Sequence, residues 1–358
     1  MKDTINITQV KESRISSIDF DNIPFGKILS DHMFIADYKD GEWQDLRIVP
    51  VANLSLNPAN MALHYGQSIF EGMKASINED GVPLLFRPEM HAKRMNASAT
   101  RMCMPTIPED LFITAVTEIV KLEKNWIPTK VGSALYLRPF MFAMDEFIGV
   151  APSNTFRFII LTLPVGPYYN KPVKLLADER FVRAAKGGVG EAKTAGNYAA
   201  SMLPMKMARE NGFDQILWLD ARYRKFLQEV GTMNIFFVIN GKVVTPLTDG
   251  AILKGITRDS IITLLKDMGY EIDIRPITID ELIDAYEAGL LQEVFGSGTA
   301  AVISNVSTIK YKEKVIELDE SNFVLSHMIK EKINLLRNGT IEDPYGWVVP
   351  IEETVSAS

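Results

Sequence analysis

The sequence predicts a two-domain protein of mixed α/β (α+β) class, and three observations carry that prediction. Its 358 residues exceed the size at which a single hydrophobic core stops growing. Short β-rich apolar runs alternate with segments of helical periodicity along the chain. At LPVGPYYNKP, Pro164, Gly166, Pro167 and Pro172 interrupt both periods and mark a boundary. The expected organisation is a smaller N-terminal α/β domain over residues 1–163, an interdomain loop over 164–174, and a larger C-terminal domain over 175–358.

The elements follow in order. Residues 1 to about 20 are polar and weakly held. Asp40-Gly41 and Asp80-Gly81 read as turns between strands. Residues 88–102 read as a helix carrying Arg94, with Met90, Met95 and Met102 available for packing. Residues 109–122 give a clearer helix, because Phe112, Val116, Ile119 and Val120 recur at helical spacing behind Pro108. Residues 134–143 and 156–163 read as strands, the second apolar enough to be buried on both faces. After the break, 197–211 is a helix interrupted by Pro204, and 215–219 is a short buried strand. IFFVINGKVVTP places Asn240-Gly241 between β-rich runs, the signature of a two-residue hairpin. Residues 257–268 form an amphipathic helix closed by Gly269. Thr278 and Glu281 make a capping box for the next helix. The strand-like run QEVFGSGTAAVISNV comes next, and a last helix spans 322–336.

Composition bounds the function. With 47% hydrophobic and 23% charged residues and a formal net charge of −7, the chain is an ordinary globular protein. It lacks the basic excess of a nucleic-acid or membrane-surface binder. The single cysteine, Cys103, excludes an internal disulfide framework and a cysteine metal cluster, and is expected to be a buried structural thiol. The N-terminus has no apolar signal-peptide core, and no apolar run reaches the length of a membrane span, so the expected location is cytoplasmic. The four histidines, His32, His64, His91 and His327, lack ligand spacing, so no metal is expected. No G-x-S-x-G elbow is present.

The chemistry-bearing stretch is FVRAAKGGVGEAKTAGNYAAS, with Gly187, Gly188, Gly190 and Gly196 around Lys193. A lysine in such a loop is a surface charge, a phosphate clamp or an amine nucleophile. GGVGEAKT misses a nucleotide-binding loop by one residue, Ala192 in place of glycine, and FVRAAK is a poor buried strand to feed one. ILWLD, ending at Asp220, is the matching rival for a magnesium strand. Two other segments suit an anion. Gly255, Ile256 and Thr257 open a helix whose first N–H groups face outward, and GSGTA, Gly296 to Ala300, is read as a loop able to form a nest of backbone donors. Their ordinary reading is a capped helix and a turn. Glu229, entering a strand in LQEVGTMNIF, needs a cationic partner if buried. A lysine, a phosphate nest and a buried carboxylate together meet the requirements of a pyridoxal-phosphate enzyme.

The blocks LHYGQSIFEGMKA, LYLRPF, FVRAAKGGVGEAKTAGNY, EVGTMNIF, TPLTDGAILKGITRDS and EVFGSGTA closely resemble the branched-chain amino acid aminotransferases, within the fold-type IV pyridoxal-phosphate enzymes. The resemblance runs from about residue 60 to residue 300. It implies the D-amino-acid-aminotransferase-like fold, with a β-sheet or barrel core and helices in each domain and the cofactor lysine in the larger one. It also implies transfer of the amino group of L-leucine, L-isoleucine or L-valine to 2-oxoglutarate. Within the fold type, D-amino-acid aminotransferase and aminodeoxychorismate lyase are the alternatives.

Carried over to this chain, the resemblance makes Lys193 the Schiff-base lysine and proton shuttle. Glu229 pairs with the pyridine nitrogen and Tyr198 with the phenolic oxygen. Arg94, the backbone of Ile256 and Thr257, and Thr299 hold the phosphate, with Thr232 also at the cofactor. Tyr136 and the backbone of Thr299 and Ala300 take the substrate α-carboxylate, and Arg138 meets the glutamate side chain. Phe70, Tyr168 and Tyr198, with Tyr65 and Val150 lent by a partner subunit, line the aliphatic pocket, so a homodimer is implied. Where mammalian relatives carry a C-x-x-C redox switch, this chain reads Ala301-Val302-Ile303-Ser304, so that regulation is expected to be absent.

Overall fold

The computed structural model describes residues 4–166 and 171–352. The chain divides into two compact units: Met1–Tyr168 with Ala192–Ala195 and Asn334–Ser358, and Tyr169–Glu191 with Gly196–Ile333. This departs from the sequence-based boundaries. The short piece bearing Lys193 clusters with the N-terminal unit, as does the C-terminal segment, which adds strand Val348–Pro350 beside Pro83–Phe86. Backbone pairing decides both memberships, and pairing partners far apart in sequence leave no local signal. Among the described residues, no helix is long and apolar enough to cross a membrane.

The N-terminal unit is built on a nine-stranded sheet. Its centre is the antiparallel pair Ala134–Ala143 and Phe156–Val165, and His32–Lys39 with Glu42–Pro50 extends it on one side. The turn between those two strands uses Asp40 and Gly41 at φ 54° and 89°, which suits a tight hairpin. On the other side, Ser68–Phe70 and Met73–Ile77 pair in succession along Ala134–Ala143. Helices Pro88–Arg101 and Glu109–Leu122 contribute to the core, where Phe112 stacks on Phe158 at 6.0 Å and Phe34 meets Phe158 edge-on at 5.9 Å.

The C-terminal unit also holds a nine-stranded sheet, and six of its strands close on themselves. Val173–Ala177, Gln215–Leu219, Leu227–Val230, Met233–Ile239, Leu291–Gly298 and Val302–Tyr311 pair in a ring. Leu175, Leu217, Val230, Ile235, Val294 and Val306 cluster in its core. The predicted hairpin joins Met233–Ile239 to Lys242–Thr245, with Asn240 and Gly241 at φ 49° and 76°. Helix Ile279–Glu287 starts at Thr278, whose hydroxyl accepts from the Glu281 N–H at 3.0 Å. Helix Ala195–Glu210 accommodates Pro204 in its interior.

Two local expectations are corrected. Cys103 is exposed rather than buried. It follows the end of helix Pro88–Arg101 with φ 54°, a left-handed residue that ends the helix. GSGTA is a loop only in its second half, because strand Leu291–Gly298 runs through Gly296, Ser297 and Gly298. A Cβ on Gly296 would lie 2.8 Å from Val230 Cγ1, so that glycine serves packing inside the ring.

Candidate active site

In the N-terminal unit the structure gathers Lys193, Phe70, Tyr136 and Arg138. The Lys193 backbone is pinned on both sides: its N–H donates to Ser98 Oγ at 2.9 Å, and its carbonyl accepts from the Phe70 N–H at 3.0 Å. The neighbouring Thr194 donates its hydroxyl to the Ser68 carbonyl at 2.7 Å. Held this way, Lys193 places Nζ 4.9 Å from the centre of the Phe70 ring. The Arg138 guanidinium also lies over that ring, at 4.7 Å, and donates to the Tyr136 hydroxyl at 3.1 Å. Tyr136 and Arg138 stand two apart on strand Ala134–Ala143, so their side chains share one face of the sheet. Gly72 makes room for them, since a Cβ there would sit 2.0 Å from the Tyr136 hydroxyl.

Arg94 is part of a buried cluster. Its Nε and Nη2 donate to both Glu71 oxygens at 2.7 and 2.8 Å, and His91 Nδ1 meets Glu71 Oε2 at 2.8 Å. Burial pushes the Glu71 carboxyl up, and Arg94 together with His91 outweighs it, holding the group well below the usual carboxylate range. Burial also lowers the His91 pKa, against the pull of Glu71, and Nδ1 faces the carboxylate as the donor. His91, Arg94 and Ser98 lie on one helix at spacings of three and four, which aligns them on one face. That face orients the arginine and anchors the lysine backbone.

In the C-terminal unit, Glu229, Tyr198 and Thr232 meet in a narrow cleft, which Arg183, Asn197, Ser201 and Leu253 complete. Glu229 is buried. It is ion-paired with Arg183 through Oε2 and accepts from Asn234 Nδ2 through Oε1 at 3.2 Å. Arg183 is fixed in turn by the Gly190 and Ala251 carbonyls at 2.9 and 2.5 Å. Gly190 is required for this approach, because a Cβ would come within 2.4 Å of the Ala251 carbonyl oxygen. FVRAAK is irregular rather than a strand, so the nucleotide-loop reading loses the element it needs.

Ile256 and Thr257 are buried at the start of helix Ile256–Asp267, whose N-cap, Gly255, offers no side-chain cap. Their backbone N–H groups stand at the positive end of the helix. Gly255 is held to glycine by Asn234, whose Oδ1 would lie 1.9 Å from an added Cβ. Thr299 and Ala300 are half-buried in the turn after strand Leu291–Gly298. Tyr65 and Val150 are not part of either gathering and are 40% and 93% exposed. Tyr168 lies outside the described residues.

Sequence reasoning did not single out Glu71, His91, Ser98, Arg183 or Asn234. The spacing of His91, Arg94 and Ser98 along one predicted helix was the available signal for a shared face. The partners of Glu229 had none.

With this geometry in hand, the comparisons define the class. The solved branched-chain amino acid aminotransferase of Escherichia coli superposes with a TM-score of 0.75 at 28% identity, over 90% of this chain and 99% of that one. A branched-chain amino acid aminotransferase from T.th., complexed with N-(5'-phosphopyridoxyl)-L-glutamate, superposes with a TM-score of 0.73 at 26% identity, over 88% and 98%. In sequence, the branched-chain-amino-acid aminotransferase 2 of Bacillus subtilis (strain 168) is 44% identical over 98% of each chain. The pattern of the family Amino-transferase class IV matches residues 68–309. The chain belongs to the class IV aminotransferases.

Proposed function

We propose that this protein is a pyridoxal-phosphate-dependent branched-chain amino acid aminotransferase that transfers the amino group of L-leucine, L-isoleucine or L-valine reversibly to 2-oxoglutarate. The observation that carries this reading is the seating of Lys193. Its backbone is hydrogen-bonded on both sides, while its amine stands over the face of Phe70. A surface lysine has no use for that anchoring.

The residues fit the cofactor. The cleft beside Glu229 is walled by Tyr198, Thr232 and Gly231. Gly231, at φ 56°, has its would-be Cβ position 2.2 Å from Gln215 Oε1, so the backbone there tolerates no side chain. In this reading Glu229 meets the ring nitrogen and Tyr198 the phenolic oxygen, with Thr232 beside them. Arg94, the N–H groups of Ile256 and Thr257, and Thr299 take the phosphate. Bound pyridoxal phosphate supplies a protonated ring that accepts the electron pair released at the substrate α-carbon.

The chain's own residues do the rest. Lys193 Nζ would remove the α-proton and return it at the cofactor carbon, the work of a single positioned base. Glu71 holds the Arg94 fork in one orientation, so the cation is set before its ligand arrives. Tyr136, with the backbone of Thr299 and Ala300, receives the α-carboxylate. Arg138 receives the second carboxylate of glutamate, and Phe70, Tyr168 and Tyr198 line the aliphatic pocket. A pocket of this kind distinguishes the three branched chains weakly, since one methylene contributes about 0.8 kcal/mol. Tyr65 and Val150 are assigned to a homodimer, where they would complete the partner's pocket, and the location is cytoplasmic.

The test is direct. The purified protein is expected to show visible cofactor absorbance that Lys193→Ala abolishes, and to transaminate L-leucine with 2-oxoglutarate. Absence of that absorbance, or D-alanine turning over in place of L-leucine, would overturn the assignment.

A further inference from the structure

Strand pairing in the C-terminal unit lines up three polar residues. Glu229 stands opposite Asn234, and Asn234 opposite Ser297, so their side chains share one face of the sheet. That face is the outer one, because Ile235, Phe237 and Val294, which alternate with them, belong to the core inside the ring. Ser297 is only 2% exposed, and its hydroxyl has no hydrogen-bond partner among the described residues. Burial alone does not single it out. Ser304 is equally buried and unpartnered, but it pairs with Gly296 and so faces the ring interior. What distinguishes Ser297 is the element packed on its face. Helix Ile256–Asp267 lies on strand Leu291–Gly298, and its N-cap, Gly255, abuts Oδ1 of Asn234, the cross-strand neighbour of Ser297. The buried hydroxyl therefore sits next to the opening turn of that helix, where the N–H groups of Ile256 and Thr257 favour an anion. It also lies two residues before Thr299, at the end of the same strand.

We propose that Ser297 is a further phosphate-holding residue, its hydroxyl donating to an oxygen of the cofactor phosphate beside the helix N-terminus. The inference rests on the pyridoxal-phosphate reading above and deepens it. A buried hydroxyl loses free energy while unpartnered, and its hydrogen bond to a charged oxygen is stronger than one to a neutral group. The row then serves both ends of one ligand, Glu229 at the ring nitrogen and Ser297 at the phosphate. Asn234 stands between them, donating to Glu229 at 3.2 Å and to the Leu253 carbonyl at 2.9 Å.

The experiment titrates the full chain, freed of cofactor, with pyridoxal phosphate and, separately, with pyridoxal, which lacks the phosphate; binding is followed by protein fluorescence. Ser297→Ala is expected to weaken pyridoxal phosphate by about ten- to a hundredfold and to leave pyridoxal unchanged, which also shows that the variant is folded. Ser297→Cys keeps the volume and puts a weak donor in place of a strong one, so it should lose part of the same phosphate-dependent affinity. Ser304→Ala, the loss of a buried hydroxyl on the opposite face, should change neither ligand. Two results would overturn the inference: equal losses for both ligands in the two Ser297 variants, which would make the residue a packing one, or undiminished affinity for pyridoxal phosphate. Failure of the wild type to bind pyridoxal phosphate would instead overturn the reading on which the inference rests.

Discussion

Arg94 offers two nitrogens to the two oxygens of Glu71, at 2.7 and 2.8 Å, and Glu71 has no exposed surface at all. The guanidinium proposed to take the phosphate is thus held in place by a carboxylate that water cannot reach. Removing one member of a buried pair leaves an uncompensated charge, so Glu71→Gln is expected to cost about 3–5 kcal/mol, read from urea unfolding. Cofactor affinity should fall with it.

The same pair sets an acid limit. The folded carboxyl of Glu71 titrates below its ordinary range, so the unfolded chain binds the proton first as pH falls. Its stabilisation is full above the unfolded value of about 4.3 and is lost as pH drops from there toward the folded value. The stability difference between wild type and Glu71→Gln should therefore shrink below about pH 4. A difference that stays constant across that window would show that Glu71 is not the titrating group.

Ser98 accepts from the backbone of Lys193 at 2.9 Å. Ser98→Ala leaves that N–H without its acceptor, at about 1–3 kcal/mol, and loosens the residue proposed to bear the reacting amine. A lower kcat with little change in KM for L-leucine is expected in steady-state kinetics. An altered KM at constant kcat would assign Ser98 to substrate binding instead.

Gly255 owes its identity to Asn234. The added Cβ of Gly255→Ala would overlap Asn234 Oδ1, and Asn234 also donates to Glu229 and to the Leu253 carbonyl, at 3.2 and 2.9 Å. Overpacking of this kind costs about 1–3 kcal/mol, measurable as a lower denaturation midpoint. Pyridoxal phosphate titration should also show weaker binding.

Arg138 is assigned to the glutamate side chain, so Arg138→Met separates the two half-reactions. KM for 2-oxoglutarate is expected to rise by about ten- to a hundredfold, since a charged hydrogen bond contributes about 1.5–3 kcal/mol. The half-reaction with L-leucine should change far less, as followed by single-turnover absorbance. Equal losses in both would place Arg138 at the α-carboxylate.

By itself the sequence determined the mixed α/β class, most of the helices, the Asn240-Gly241 hairpin and the family. These are written in local signals: apolar period, caps, turn residues and contiguous blocks. The resemblance also named Lys193, Arg94, Glu229 and Arg138 as the residues of interest. Only the tertiary structure decided what holds them. That Glu71 grips Arg94, that Ser98 anchors Lys193, and that Arg183 and Asn234 share Glu229 are contacts between residues far apart in the chain, which no periodicity records. The same reason explains the misplaced features. The Lys193 segment groups with the N-terminal unit because Phe70 and Ser98 bind the Lys193 backbone and the Ser68 carbonyl accepts from the Thr194 hydroxyl. Gly296 belongs to a strand because the ring closes there, and Cys103 faces water because the helix before it stops in a left-handed turn.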